Sequence, residues 1–240
     1  MNQPNLVIAT ITLARNATEE KLLIESLTQL ARLNIQVFIT DGGSSGSFLQ
    51  FLRSVPHFFL STAQVKGVWA QAKNSLLEAS QADSDFILYT EPDKLLFFTQ
   101  FLPTFITQPL HKEHTGVILA SRSESGFATF PAFQQMSERA INNCCKEIIK
   151  LACDYTYGPF ILNKKAVPYL HRVQEDIGWG FRPYLFGIAR RLTLSIESYE
   201  GDFTCPDEQT TDSATERIYR MRQLSQNIQG LVLSTSVSVD

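Results

Sequence analysis

Glu91 and Asp93 stand on either side of Pro92, just after the apolar run Asp85–Thr90. Alternate positions on extended chain point to one side, and proline stiffens the spacing, so both carboxylates can face one cation. Two carboxylates, completed by water and phosphate oxygens, are a usual way to hold Mg²⁺ or Mn²⁺. The same residues also suit a solvated strand-to-helix turn, with Asp93 as a helix cap. A second acidic loop, Asp41-Gly42-Gly43-Ser44-Ser45-Gly46, follows the apolar run Ile35–Thr40. Its glycines permit close approach of backbone N–H groups to a ligand, and Asp41 can accept hydrogen bonds from a base or ribose. Taken alone, it is also an ordinary turn. A third acidic site, Glu175-Asp176, precedes Ile177-Gly178-Trp179-Gly180 and an apolar stretch. A carboxylate there suits a general base on an acceptor hydroxyl, a group that orients that hydroxyl, or simply an acid favoured by a helix dipole.

Three basic features accompany these acids. Lys73 borders the buried stripe of a helix opening at Gly67-Val68-Trp69, where it serves either as a surface lysine or as a phosphate contact. On the last helix, a 100° wheel puts Arg217 inside the apolar arc of Ile218, Met221, Leu224, Ile228 and Leu231, with Arg220 beside it. A guanidinium turned toward a protein body requires an anion, either an internal carboxylate or a bound diphosphate. The four histidines show no ligand spacing.

The elements that must position these residues alternate. Leu6–Leu13 reads as a strand, Thr18–Leu33 as a helix capped by Thr18, Ile35–Thr40 as a strand and Phe48–Arg53 as a short helix. His57–Ser61, Val68–Ser80 and Asp85–Thr90 continue as strand, helix, strand. This rhythm predicts an α/β fold with a mostly parallel central sheet and helices on both faces. Right-handed crossovers bring strand C-termini to one edge, where open sheets bind ligands, so the acidic loops are expected to gather there. Farther on, Pro103 splits Leu95–Gln108 into two helical pieces, and Val117–Ser121 is a strand. Gln134–Cys153 and Gly180–Arg190 are helices, while Pro159–Leu162 and Leu192–Tyr199 are strands. A capping box at Ser213–Glu216 opens a C-terminal helix reaching about Gln229.

Composition bounds the rest. The chain has 240 residues, 44% apolar and 19% charged, with 17 Phe, enough for a large core. A single domain over 1–240 is expected, with divisions at about 94 and 205, the last part being a C-terminal helix and tail. With 21 Lys+Arg against 24 Asp+Glu and no basic block, nucleic acid is excluded as the main partner. The four cysteines lack zinc spacing, and Cys144, Cys145 and Cys153 read as core-filling thiols in one helix. No segment is long and apolar enough for a signal core or membrane span, so the cytoplasm is the expected location. A flavin or dinucleotide Rossmann protein is disfavoured, because no Gly-x-Gly-x-x-Gly follows the first strand.

The order of these pieces resembles nucleotide-sugar glycosyltransferases of the GT-A fold, family 2-like. The series comprises a strand and polar loop, a strand ending in an acidic Gly/Ser turn, a Gly-x-x-x-x-Ala-Lys-Asn helix, a strand ending in Glu-Pro-Asp, and a late Glu-Asp. Residues 176–181 and 196–201 are also similar to mannosylglycerate synthase-like enzymes. The resemblance implies a GT-A-like (Rossmann-like) fold and metal-assisted hexose transfer from a nucleotide-diphosphate sugar to a small hydroxyl acceptor. It places Thr10, Arg15, Asp41, Gly42 and Lys73 at the nucleotide, and Asp93 with Glu91 at Mg²⁺ or Mn²⁺. Asp176 with Glu175 falls at the acceptor, and Tyr157, Gly158 and Trp179 along the sugar and acceptor pocket. Arg217 and Arg220 remain candidate phosphate contacts. Glu91 replaces the usual first Asp of the metal motif, Lys73 replaces an Arg and loses its bidentate fork, and no His occurs near Thr204-Cys205. These departures favour a rival reading, a catalytically inactive nucleotide-sugar-binding or interaction protein of the same fold.

Overall fold

Seven strands form one mostly parallel sheet in the order β3-β2-β1-β4-β6-β5-β7 in a computed structural model describing residues 5–239. The chain runs β1 (Leu6–Thr12), α1 (Ala17–Ala31), β2 (Val37–Asp41), α2 (Gly46–Ser54), β3 (Phe58–Thr62), α3 (Val68–Ser80) and β4 (Phe86–Tyr89). It continues through α4 (Leu95–Gln100), α5 (Leu102–Phe105), β5 (Thr115–Arg122), α6 (Glu124–Ala128), α7 (Ala132–Ile149) and β6 (Phe160–Asn163). The last elements are a 3₁₀ segment Lys164–Arg172, a 3₁₀ turn Gly178–Gly180, α8 (Phe181–Arg191), β7 (Ser195–Gly201), a 3₁₀ turn Asp207–Gln209 and α9 (Ala214–Ser236). Two compact units share these elements, one of residues 1–112 and 161–167, the other of 113–160 and 168–240. Among the described residues, no helix is long and apolar enough to cross a membrane.

In the first unit β1 pairs in parallel with β2 on one side and β4 on the other, and β2 pairs in parallel with β3. Every residue of β1 is buried, as the unbroken run LVIATIT requires of a strand covered on both faces. The side chain of Asn16, not Thr18, caps α1: it accepts from the N–H of Glu19 at 2.9 Å, while the Glu19 carboxylate accepts from the N–H of Arg15. Thr18 lies one residue inside the helix, where its hydroxyl cannot reach the first turn's N–H groups in capping geometry. Pro103 falls in the first turn of α5 and separates it from α4, as expected.

In the second unit β5 is wholly buried and β7 is its half-exposed parallel partner, carrying Glu197 and Glu200 in the manner of a protected edge. Helix α7 stops earlier than its periodicity suggests, because Lys150 turns left-handed (φ 64°), so Cys153 lies outside it. At the start of α9 the Ser213 hydroxyl accepts from the N–H of Glu216, but the Glu216 carboxylate pairs with Arg220 instead of closing the box. The helix also runs on to Ser236, beyond the expected end near Gln229.

The fully buried face of α9 shares only Leu231 with its apolar arc. Ile218 and Met221 are about half exposed, and the residues turned inward are Asn227, Gly230, Leu231 and Ser234. Small residues win because they let backbones touch. A Cβ on Gly230 would lie 1.9 Å from the Gly180 carbonyl oxygen, and one on Gly187 would lie 2.0 Å from the Ser234 hydroxyl. Gly230→Ala is therefore expected to cost roughly 2–3 kcal/mol through overpacking, whereas Ser225→Ala on the exposed face stays within about 0.5 kcal/mol. Urea midpoints of the two variants check the difference.

Candidate active site

In the first unit the strand order 3-2-1-4 reverses at β1: the chain proceeds from β1 to β2 and β3 on one side, then returns to β4 on the other. Loops leaving β1 and β4 flank this switch point beyond the strands' C-terminal ends, the place where open α/β sheets take ligands. The loop after β1 carries Arg15, and the loop after β4 carries Glu91, Pro92 and Asp93. Arg15 is well exposed and meets Glu19 at 3.4 Å, an ion pair weak enough to yield to a ligand. Glu91 is buried and Asp93 half-buried.

The remaining expected nucleotide contacts build the loops themselves. Asp41 is 2% exposed, and its Oδ1 accepts from the N–H groups of Gly43 and Ser44, both at 2.8 Å. Its Oδ2 accepts from the hydroxyls of Thr12 (2.8 Å) and Ser44 (2.6 Å). A carboxylate offers about four acceptor positions. Here the chain fills them all, so Asp41 shapes the turn. Ser44 carries this order onward by accepting from the N–H of Ala14 in the β1 loop. Thr10 is fully buried and donates to the Thr90 carbonyl at 2.8 Å, tying β1 to the end of β4. Gly42 donates its N–H to the Thr12 carbonyl. A Cβ there would meet the Gln71 carboxamide at 2.9 Å, so it is small for the sake of that side chain.

Gln71 escaped notice in the sequence. It lies on the buried stripe of α3 and donates to the carbonyls of Thr12 and Thr40, which pins the C-terminal ends of β1 and β2. Asn74 does similar work one turn on, donating to the hydroxyls of Thr40 and Ser61. A polar residue at an apolar-stripe position was the available signal. The Lys73 ammonium sits 5.2 Å over the ring of Trp69.

Among the described residues, no group of three or more His, Cys, Asp or Glu is gathered to hold a metal ion. That leaves the expected pair, Glu91 and Asp93, to be tested against the cation. Two carboxylates fit Mg²⁺ or Mn²⁺ that brings most of its shell as water and phosphate oxygens, and do not fit a resident, protein-caged ion.

In the second unit Glu175 and Asp176 are exposed. Asp176 Oδ1 accepts from the N–H of Gly178 at 2.8 Å, and Glu175 accepts from the Gln229 carboxamide at 2.8 Å. The Trp179 indole donates to the Tyr219 hydroxyl at 2.8 Å, and the Arg182 guanidinium lies 4.9 Å over its ring. Tyr157 is buried, stacked on Phe203 at 4.7 Å, and precedes Gly158 at φ 129°. Both candidate phosphate contacts have internal partners: Arg217, on the solvent side of α9, meets Asp212 at 2.9 Å, and Arg220 meets Glu216 at 2.9 Å and Glu138 at 3.8 Å.

A buried ion network at Arg122 was also unforeseen. Its guanidinium bonds Asp154 and Glu138, each at 2.6 Å, and the Thr156 hydroxyl at 2.8 Å, packed between the rings of Phe127 and Phe130. Asp154 also holds the N–H of Thr156, so the network fixes the chain leading to Tyr157 and Gly158. Burial pushes the Asp154 carboxyl up, but the charge and hydrogen bonds of Arg122, with those of Thr156, outweigh it and hold the group at about 2.

No family model and no curated protein sequence matches the chain. Solved structures do. Glucosyl-3-phosphoglycerate synthase from Mycobacterium tuberculosis, in complex with phosphoglyceric acid, superposes with a TM-score of 0.63 at 14% identity, over 97% of this chain and 80% of that one. The same protein with Mn²⁺, UDP-glucose and phosphoglyceric acid gives 0.64 at 12% identity, over 97% and 80%. A mycobacterial protein gives 0.62 at 13%, over 97% and 75%. The fold is the GT-A fold.

Removing Arg122 strands two buried carboxylates, so Arg122→Met is expected to cost about 3–5 kcal/mol. Asp154, depressed in the folded state, contributes stability above its unfolded value of 3.8 that disappears as pH falls toward 2, about 2 kcal/mol in all. Urea midpoints between pH 2 and 6 should slope upward more steeply in the wild type than in Asp154→Asn.

Proposed function

We propose that this protein is a glycosyltransferase that moves a hexose from a nucleotide-diphosphate sugar to a hydroxyl of a small acceptor, assisted by Mg²⁺ or Mn²⁺. The observation that carries this reading is the Glu91-Pro92-Asp93 turn beside the β1–β4 switch point, in a fold shared with a synthase seen with Mn²⁺, UDP-glucose and phosphoglyceric acid. Asp93 and Glu91 would hold the cation, with Arg15 and Lys73 toward the diphosphate. A bound cation would neutralise charge developing on the departing nucleoside diphosphate.

Asp176 takes the acceptor role. Asp176 is exposed and engages only Oδ1 with the Gly178 N–H, so Oδ2 remains to accept a hydrogen bond from the acceptor hydroxyl and to orient or deprotonate it. Trp179 offers an aromatic surface for a sugar ring. The chain before Tyr157 and Gly158 is rigidly held by Asp154, a backing suited to a precise pocket wall. Asp41, Thr10 and Gly42 take a different part from the one their sequence positions suggest: they hold the loops that carry Arg15 and line the switch point.

A second reading, sugar-nucleotide binding without turnover, is favoured by the filled acceptor positions of Asp41 and the two-carboxylate metal set. Thermal-shift titration with UDP-, GDP- and ADP-glucose, with and without Mn²⁺, followed by product assay, separates the two. Transferase action predicts Mn²⁺-dependent stabilisation by one nucleotide sugar, and turnover. Asp93→Ala should abolish the Mn²⁺ dependence of the shift and lower turnover at least about a hundredfold, with the ligand-free melting temperature unchanged. Turnover at the wild-type level in that variant removes the metal role. Metal-indifferent binding without product supports the binder.

A further inference from the structure

One face of α9 grips the segment that carries Glu175, Asp176 and Trp179. Tyr219, Gln226, Gln229 and Gly230 share that face, as helical spacings of seven, three and four residues dictate. Gln226 Oε1 accepts from the Trp179 backbone N–H at 3.2 Å. Tyr219 accepts from the Trp179 indole at 2.8 Å, and Gln229 donates to Glu175 at 2.8 Å. Backbone contact brings the partners this close: a Cβ on Gly180 would lie 2.1 Å from the Gln226 carbonyl oxygen.

Gly178 adopts φ 48°, and a Cβ there would lie 2.2 Å from the Gln226 carboxamide. The carboxamide thus occupies the space that a side chain at 178 would need. It also satisfies the first N–H after the turn that Asp176 Oδ1 closes by accepting from Gly178. Turn conformation, Asp176 orientation and the Trp179 ring plane are therefore linked through two side chains of α9.

We propose that Gln226 and Tyr219 are positioning residues: they set the conformation of Asp176–Trp179, and with it the direction of the Asp176 carboxylate and the plane of the Trp179 ring. The catalytic consequence rests on the transferase reading; the conformational one does not. Without the Gln226 oxygen, the Trp179 N–H loses its partner in a half-buried place, and the turn relaxes to regain one. Misplacing a group that acts on the acceptor lowers turnover while leaving sugar-nucleotide binding intact.

The test uses the full chain in a Trp69→Phe background, which leaves Trp179 as the sole tryptophan. Gln226→Met keeps side-chain length and removes the acceptor, Gln226→Glu restores an acceptor oxygen, and Tyr219→Phe removes only the hydroxyl. Gln226→Met and Tyr219→Phe should each shift Trp179 emission. Each should also lower kcat about tenfold at an unchanged KM for the sugar nucleotide. Gln226→Glu should recover most of both signals. Unshifted emission in both Gln226→Met and Tyr219→Phe overturns the proposal. An inert parent protein overturns the transferase reading instead, and Trp179 emission then still decides the positioning roles. Should Gln226→Met fail to fold, Tyr219→Phe carries the same readouts.

Discussion

Strand β1 has parallel partners on both sides, and the local architecture of the first unit follows from that constraint. A strand hydrogen-bonded to β2 and β4 and covered on both faces must be apolar along its length, and LVIATIT is. Because successive strands lie on opposite sides of β1, the loops leaving β1 and β4 part company beyond the sheet edge. The polar residues at that edge must first satisfy the exposed ends of three strands before any can face a ligand. Asp41, Ser44, Gln71 and Thr10 do the former. Arg15, Glu91 and Asp93 sit on the loops that remain.

The periodic parts of this architecture were legible in the sequence. Alternating short apolar runs and helical stripes foretold a mostly parallel sheet, and Pro103 foretold the break between α4 and α5. Errors clustered where a local hydrogen bond or a single backbone angle overrides periodicity. Asn16 displaced Thr18 as the cap of α1, and the left-handed Lys150 ended α7. In α9 the apolar arc misled, because close approach of Gly230 to Gly180 and of Ser234 to Gly187 stabilises contact better than the longer side chains can. Arg217 then turns to solvent and finds Asp212.

Side-chain chemistry was legible in type and less so in role. Spacing singled out Asp41, Asp93 and Asp176 as acids at strand or loop ends, but spacing does not count lone pairs. Counting them divides the acids physically. Asp41 and Asp154 are buried, accept several hydrogen bonds from nearby chain, and hold loops in shape. Asp176 is exposed, with one oxygen engaged in its own turn. Arg122 was invisible for the converse reason: a lone arginine ending a buried strand reads as the first solvated residue, until Asp154 and Glu138 arrive from distant sequence to neutralise it.

On the proposed reading, the sparse carboxylate pair at Glu91 and Asp93 follows from the same reasoning about capacity. An ion caged by three or more protein ligands is held before any substrate arrives, and its remaining sites are few. A diphosphate offers several anionic oxygens at fixed separation, so a cation that must bridge it gains more from open positions than from further carboxylates. Each added buried carboxylate would also raise the cost of the site whenever the ion is away, through repulsion and desolvation. Two acids separated by a rigid proline keep that cost low. On the proposed reading they would leave affinity to be completed by the ligand, so that cation and diphosphate binding would be linked, each strengthening the other by the same factor.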